Sequence, residues 1–258
     1  MSKKLASGAD GIVLDVKTGS GALMETLPDA LALAQTMVDI GKLAGKPVVA
    51  VITSMAQPLG THIGNALEVK DAIDVLAGRT QGDLLEISLL LGSHMLVLAE
   101  KAKTLPEARA MLENALSSGA GLRKLVEMIA AQGGDPRVVE DLSLLPQAAV
   151  KRVMRAETAG YLSAMDTTAL GMAAQRMGAG RAKKSDMLDY SVGYVLHVRL
   201  GDEVTEDTPL ATLYARNEAE AEEAEKAIRK ALTIAKEKPS VPPLWDAVVT
   251  AEGITYSR

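Results

Sequence analysis

Two short apolar runs constrain this chain more than any other feature. Gly11-Ile-Val-Leu-Asp-Val16 follows a turn signal, and Val48-Val-Ala-Val-Ile-Thr53 follows Gly45-Lys46-Pro47. Both are short, rich in β-branched residues and bounded by turn formers, so they read as buried strands. Between them runs a helical pattern that starts near Pro28, whose fixed φ suits a first helical turn. Its Leu33, Met37, Ile40 and Ala44 fall on one face. Strand, helix, strand in this order predicts a βαβ unit. Residues 11–16 and 48–53 are expected to be adjacent and parallel, joined by a right-handed crossover. The chain is therefore expected to be α/β.

Later segments supply more helices. A loop is expected over 54–64. Asn65 with Glu68 three residues on resembles a capping box, and Ala66, Val69, Ile73 and Leu76 then share a face. Helical patterns run over 83–102, 105–117 and 121–132, punctuated by Gly82, Thr104-Leu-Pro106 and Gly119-Ala-Gly121. From about residue 149 the pattern changes. Strand-like runs cover 150–156, 160–164, 194–198 and 210–214, with a helix over 166–177 and a charged helix over 217–237. Trp245 falls in a Pro-rich tail. The expected organisation is a partial parallel sheet flanked by helices over 1–148, then a small α+β domain over 149–258.

Composition removes several function classes. At 258 residues and 48% hydrophobic the chain can bury a core, but it has no Phe, so aliphatic side chains and Met must build it. The formal net charge is −5 with no basic block, which argues against nucleic-acid binding. No apolar run approaches a membrane span, and the residues after Met1-Ser-Lys-Lys lack a signal peptide's apolar stretch. With no cysteine there are no disulfides or thiolate metal sites, which fits a reducing, cytoplasmic setting. Missing both Phe and Cys is a restriction of the kind a reconstructed or redesigned chain carries.

Few residues stand out chemically. Lys17-Thr18-Gly19-Ser20-Gly21-Ala22 runs from a strand towards a helix, where open parallel sheets bind ligands. It lacks the Gly-Lys-Ser/Thr ending of a P-loop and the third glycine of a dinucleotide fingerprint. It reads either as a tight connection or as a ligand loop. Lys3 and Lys4 precede the first strand and could donate to a substrate carbonyl or simply be solvated. His62, His94 and His197 are isolated, which argues against zinc. Glu68 and Asp71 share a helix face, as a cap plus a solvated charge or as part of a hard-cation site completed by loop carbonyls.

Several segments, in order, resemble the thymidine and pyrimidine-nucleoside phosphorylase family. They are Ser2-Lys-Lys-Leu-Ala6, Leu14-Asp-Val-Lys-Thr-Gly-Ser-Gly-Ala22, Gln57-Pro-Leu-Gly60 and Gly64-Asn-Ala-Leu-Glu-Val69. They continue with Ala131-Gln-Gly-Gly-Asp135, Met165-Asp166 with Ala169-Leu-Gly171, Gly178-Ala-Gly-Arg181 and Asp189-Tyr-Ser-Val-Gly193. Any one segment is weak; the ordered set spans nearly the whole chain. The resemblance implies reversible phosphorolysis of a pyrimidine nucleoside, with no obligatory cofactor. It implies a homodimer formed through a helical domain and a small α+β C-terminal domain.

By the same resemblance, Lys3 contacts the pyrimidine base, and Leu23 stands where the family usually has a packing Phe. Leu59 and His62 match loop positions whose carbonyls face potassium in some members, and Asp71 matches an acidic ligand that is normally Glu. The chain corresponds to the family's C-terminal part. Phosphate ligands, the catalytic-site histidine and the base-binding arginine and serine are expected in a preceding segment. This leaves three readings: a phosphorylase inactive as this chain alone, one subunit of a split phosphorylase with a companion N-terminal chain, or a non-catalytic scaffold. Either a non-family oligomer or a core repacked to hide the exposed flank is also expected.

Overall fold

The computed structural model describes residues 1–257. Helix α1 (Ser2–Ala6) leads into β1 (Ile12–Thr18), α2 (Leu27–Leu43) and β2 (Val48–Ser54). A two-residue strand, β3 (His62–Ile63), precedes α3 (Asn65–Leu76), α4 (Asp83–Leu98), α5 (Leu105–Ser117) and α6 (Ala120–Ala131). Two 3₁₀ turns lead to β4 (Val150–Arg155), β5 (Gly160–Met165) and α7 (Thr167–Ala174). The rest is β6 (Gly193–Leu196), β7 (Glu203–Val204), β8 (Pro209–Ala215), α8 (Glu218–Ala231), β9 (Leu232–Ala235), β10 (Trp245–Thr250) and β11 (Gly253–Tyr256).

The chain divides into two compact units, neither of them continuous in sequence. The first comprises 1–55, 81–118 and 242–258; the second comprises 56–80 and 119–241. Residue 148 lies inside the second unit.

In the first unit the sheet order is β1-β2-β10-β11. β1 and β2 are parallel, in register from Ile12 opposite Val48 to Thr18 opposite Ser54, and α2 connects them, as the βαβ pattern predicts. Thr26 caps α2 by accepting the Asp29 N–H, and Pro28 sits in its first turn. Ala30, Ala34 and Val38 of α2 are buried against Ile12, Leu14, Val16, Val48, Ala50 and Ile52. The other face carries Val49, Val51 and Val248, packed with Val13, Trp245 and Leu90, Leu91 and Leu98 of α4. Helices thus cover both faces, as a buried parallel pair requires.

The sheet is nonetheless mixed. β10 runs antiparallel beside β2, with Val248 opposite Val51, and β11 pairs antiparallel with β10. The expected Pro-rich tail is therefore a hairpin. Pro242-Pro243 mask its start locally, while Ala247-Val-Val-Thr250 finds a partner almost two hundred positions away in β2. A local pattern carries no trace of that pairing.

The second unit contains the sheets β3-β6-β8-β4 and β7-β5-β9. Their shared core includes Met154, Leu162, Leu170, Tyr194, Leu196, Leu213 and Ile228. Tyr194 is fully buried and its hydroxyl donates to the Leu170 carbonyl at 2.8 Å. The inner face of α8 is Ala221, Ala224, Ile228 and Ala231, at helical spacing. Outside it lies an ion-pair lattice that includes Arg152–Glu225 and Lys226–Glu222. The helix expected over 217–237 stops at Ala231, and Leu232–Ala235 crosses to pair with β5. Leu232-Thr-Ile-Ala235 carries no charge and two β-branched residues, and the hydrogen bonds of β5 complete the switch to strand. The helix expected over 166–177 is α7 continued by a π turn over Gln175–Ala179, and it breaks at Gly178, which takes φ +106°.

Candidate functional site

The C-terminal ends of β1 and β2 carry a closed polar ring. In a strand, residues two apart share a face, so Asp15 and Lys17 lie together, and the parallel register sets Thr53 opposite Lys17. Lys17 Nζ donates to Thr53 Oγ1 at 2.9 Å and lies 2.7 Å from Asp15 Oδ2; Thr53 Oγ1 donates to Asp15 Oδ1. Thr53 is fully buried, whereas the Lys17 and Asp15 side chains are 26% and 25% exposed. This ring occupies the sheet face whose other end is the apolar cluster with α4. An ammonium has three N–H donors. Two are engaged here, which leaves one for a ligand among the described residues.

The loop that follows is tied mostly to itself. Gly19 N–H donates to the Glu25 carbonyl at 3.2 Å, Ala22 N–H to the Gly19 carbonyl at 3.0 Å, and Thr18 Oγ1 to the Glu25 carbonyl at 3.1 Å. Gly19 takes φ +110°, where a side chain would be strained. Of the two readings of 17–22, this geometry favours the tight connection, with Lys17 itself as the group left to meet a ligand. At the loop tip Leu23 is 90% exposed. Lys3 is exposed on α1, while Leu5 of that helix and Met1 before it pack against the α2 side of the sheet. Lys3 makes no ion pair with any described residue.

The segment expected as a loop over 54–64 starts with the last residue of β2 and ends, in the second unit, in β3, antiparallel to β6 with His62 opposite Val195. Two residues carry no readable alternation, so this strand was invisible in sequence. Gly64, at φ +138°, and Gly193, at φ +147°, make the close approach possible. A Cβ on Gly193 would lie 2.1 Å from the Ile63 carbonyl oxygen and 2.9 Å from the Gly64 Cα.

Here Arg199 meets three successive carbonyls. Its Nη1 donates to Pro58 at 2.7 Å and to Gly60 at 3.3 Å, and its Nη2 to Leu59 at 3.4 Å. The Leu200 N–H donates to Gln57 Oε1 at 2.9 Å. His62 Nδ1 lies 3.0 Å from Thr61 Oγ1 and 3.5 Å from Asp71 Oδ1. The Asp71 side chain is only 5% exposed. Burial lowers the His62 pKa, and the Asp71 carboxylate pulls it the other way. As potassium ligands the three expected residues make a poor set. The Leu59 carbonyl already receives a guanidinium N–H, and the Asp71 carboxylate is covered by an imidazole.

The structure brings His62 and Asp71 together and keeps Leu59 in the same segment. Sequence reasoning missed Asp15, Thr53 and Arg199. The first two were accessible from strand period and expected register. Arg199 precedes Gly201-Asp202 and carries no local signal of its role.

Comparison with known proteins identifies the chain by its parts. Residues 1–122 match the model of the glycosyl transferase family a/b domain, and residues 161–235 match the pyrimidine nucleoside phosphorylase C-terminal domain. The expected boundary at 148 falls between the two. The pyrimidine-nucleoside phosphorylases of Geobacillus stearothermophilus and Bacillus subtilis (strain 168) are each 52% identical over 218 residues, covering 84% of this chain and 50% of theirs. That of Staphylococcus aureus (strain USA300) is 47% identical over 250 residues, covering 97% of this chain and 57% of its own. The chain thus spans about half the length of the curated relatives it matches. With both domain models and these relatives aligned along it, the chain belongs to the pyrimidine-nucleoside phosphorylase family.

Proposed function

We propose that this chain supplies the a/b and C-terminal portion of a pyrimidine-nucleoside phosphorylase. The reaction joins a pyrimidine nucleoside and phosphate to give free base and pentose 1-phosphate. The glycosidic C–N bond breaks as a phosphate oxygen forms a C–O bond at the anomeric carbon. The electron pair of the broken bond leaves on the pyrimidine, so donors around the base lower the barrier.

In this reading Lys3 donates to a pyrimidine carbonyl, and Leu23 gives the nucleoside an apolar contact. Lys17, held by Asp15 and Thr53, presents its remaining N–H at the sheet end. The observation that carries the reading is 47% identity running over 97% of the chain. A cytoplasmic setting goes with it. No helix among the described residues is long and apolar enough to cross a membrane.

Phosphate is a dianion near neutral pH and needs several converging donors. Lys3 and Lys17 do not make such a set, so phosphate is expected to be held by a segment homologous to the other half of the relatives. Removing a single well-placed donor typically costs about 10²–10³ in rate. Phosphorolysis of thymidine and uridine by the 258-residue polypeptide alone is therefore expected to be undetectable. Turnover is expected once a polypeptide covering the first half of a relative is added, and Lys3→Ala is expected to abolish it. No turnover in the mixture, with both pieces folded, would favour the non-catalytic scaffold. Turnover by the single chain would show that it needs no companion.

A further inference from the structure

We propose that Arg199 is the resident cation of the 57–63 segment, holding from the protein side the carbonyl oxygens that a bound monovalent cation would otherwise neutralise. Three consecutive carbonyls aimed at one point repel one another unless a positive charge sits there. Here the charge is a guanidinium, within 2.7–3.4 Å of the Pro58, Leu59 and Gly60 oxygens. Guanidinium is planar, always protonated, and spreads five donors over a fork, so one group can serve several acceptors.

Arg199 is also fastened at its own backbone, because its N–H donates to Asp202 Oδ2 at 2.7 Å. Leu200 is tied to Gln57 next door. The charge is therefore part of the fold and cannot diffuse away. Asp71, the carboxylate that would complete a metal site, is buried and faces His62 instead. A second cation on the Leu59 oxygen would sit against a fixed positive charge in a partly desolvated place, which is unfavourable.

The test does not depend on turnover, so its failure and that of the phosphorylase reading are separable. Thermal melting of the full chain is compared in potassium chloride and in tetramethylammonium chloride at equal ionic strength. Direct binding is followed by thallium(I) NMR, with thallium as the potassium surrogate. The wild type is expected to melt alike in both salts and to show no saturable thallium binding.

Arg199→Met is expected to melt lower by about 4 °C or more in tetramethylammonium, from loss of charge-assisted hydrogen bonds. Potassium is expected to restore most of that loss by filling the emptied carbonyl cage, and Arg199→Lys is expected to fall between. A potassium-specific rise in wild-type melting, or saturable thallium binding displaced by potassium, would overturn the proposal. So would an Arg199→Met loss that potassium cannot restore. If Arg199→Met does not fold, the wild-type thallium measurement and Arg199→Lys still decide.

Discussion

At the ends of β1 and β2, a lysine, an aspartate and a threonine bind one another through side chains alone. At β3, the partners of Arg199 are backbone carbonyls, and two glycines bring the neighbouring strands almost into contact. In the first region the register of the parallel pair fixes the backbone, and the polar groups are added to a frame already set. In the second, the side chain and the missing Cβ atoms shape the backbone itself. Changing a ring residue should alter chemistry at a preserved scaffold, whereas changing a residue at the β3 junction should alter the scaffold.

The strongest way to break this comparison is Gly193→Ala. The new Cβ would meet the Ile63 oxygen at 2.1 Å from a backbone at φ +147°. Strain plus overpacking should cost about 3–5 kcal/mol. Gly45→Ala is the control, at φ +67° with nothing within 4 Å of the added Cβ, and should cost about 1 kcal/mol. Urea unfolding gives both values. Equal costs would mean that the β3–β6 approach yields readily and that the junction is not rigid.

A smaller effect sharpens the other side. Thr53→Val removes a fully buried hydroxyl that both accepts from Lys17 and donates to Asp15. The expected cost is about 1–2 kcal/mol. If the ring acts as a unit, Thr53→Val and Lys17→Met should be non-additive by about 0.5 kcal/mol or more in a double-mutant cycle. Simple additivity would reduce the ring to neighbours.

The smallest effect concerns protons. His94 of α4 is buried and its Nε2 has no hydrogen-bond partner among the described residues; burial lowers its pKa. Its folded pKa then lies below the unfolded value of about 6.5, so the unfolded chain binds more protons as pH falls. Stability is retained above that pH and lost as pH drops below it. His94→Leu should flatten this acid limb by at most about 1.4 kcal/mol per pH unit. His62, shifted the same way, would contribute to the slope that remains. An unchanged limb in His94→Leu would exclude His94 as its source.

What could be read in advance follows from the range of the interactions. The βαβ unit was legible because β1, α2 and β2 each satisfy a local pattern, and α2 even carries its own cap. Both family segments around Gly64 and Gly193 were visible as motifs. That they touch was not visible, since a glycine's close approach appears only when the second backbone is in place. The exchange of helix for strand at Leu232 had only the uncharged, partly β-branched run 232–235 as a local mark, because β5 supplies the hydrogen bonds. Lys17 stood out through its glycine loop. Asp15 and Thr53 passed as strand residues until the register joined them, and nothing local distinguishes Arg199 from a solvated charge.

The place of β10 in the sheet has a consequence for synthesis. β2 pairs with β1, made shortly before it, and with β10, made only after the whole second unit has been translated. While the ribosome works through 56–241, one side of β2 has unpaired N–H and C=O groups beside an apolar Val-Val-Ala-Val-Ile run, an edge open to other chains. Closing it requires a contact of very long sequence separation, the kind that forms slowly. The nascent first unit is therefore expected to be the chaperone-dependent part of this protein. A chain stalled before Pro242 is expected to aggregate through β2 even though every residue of the second unit has already been made.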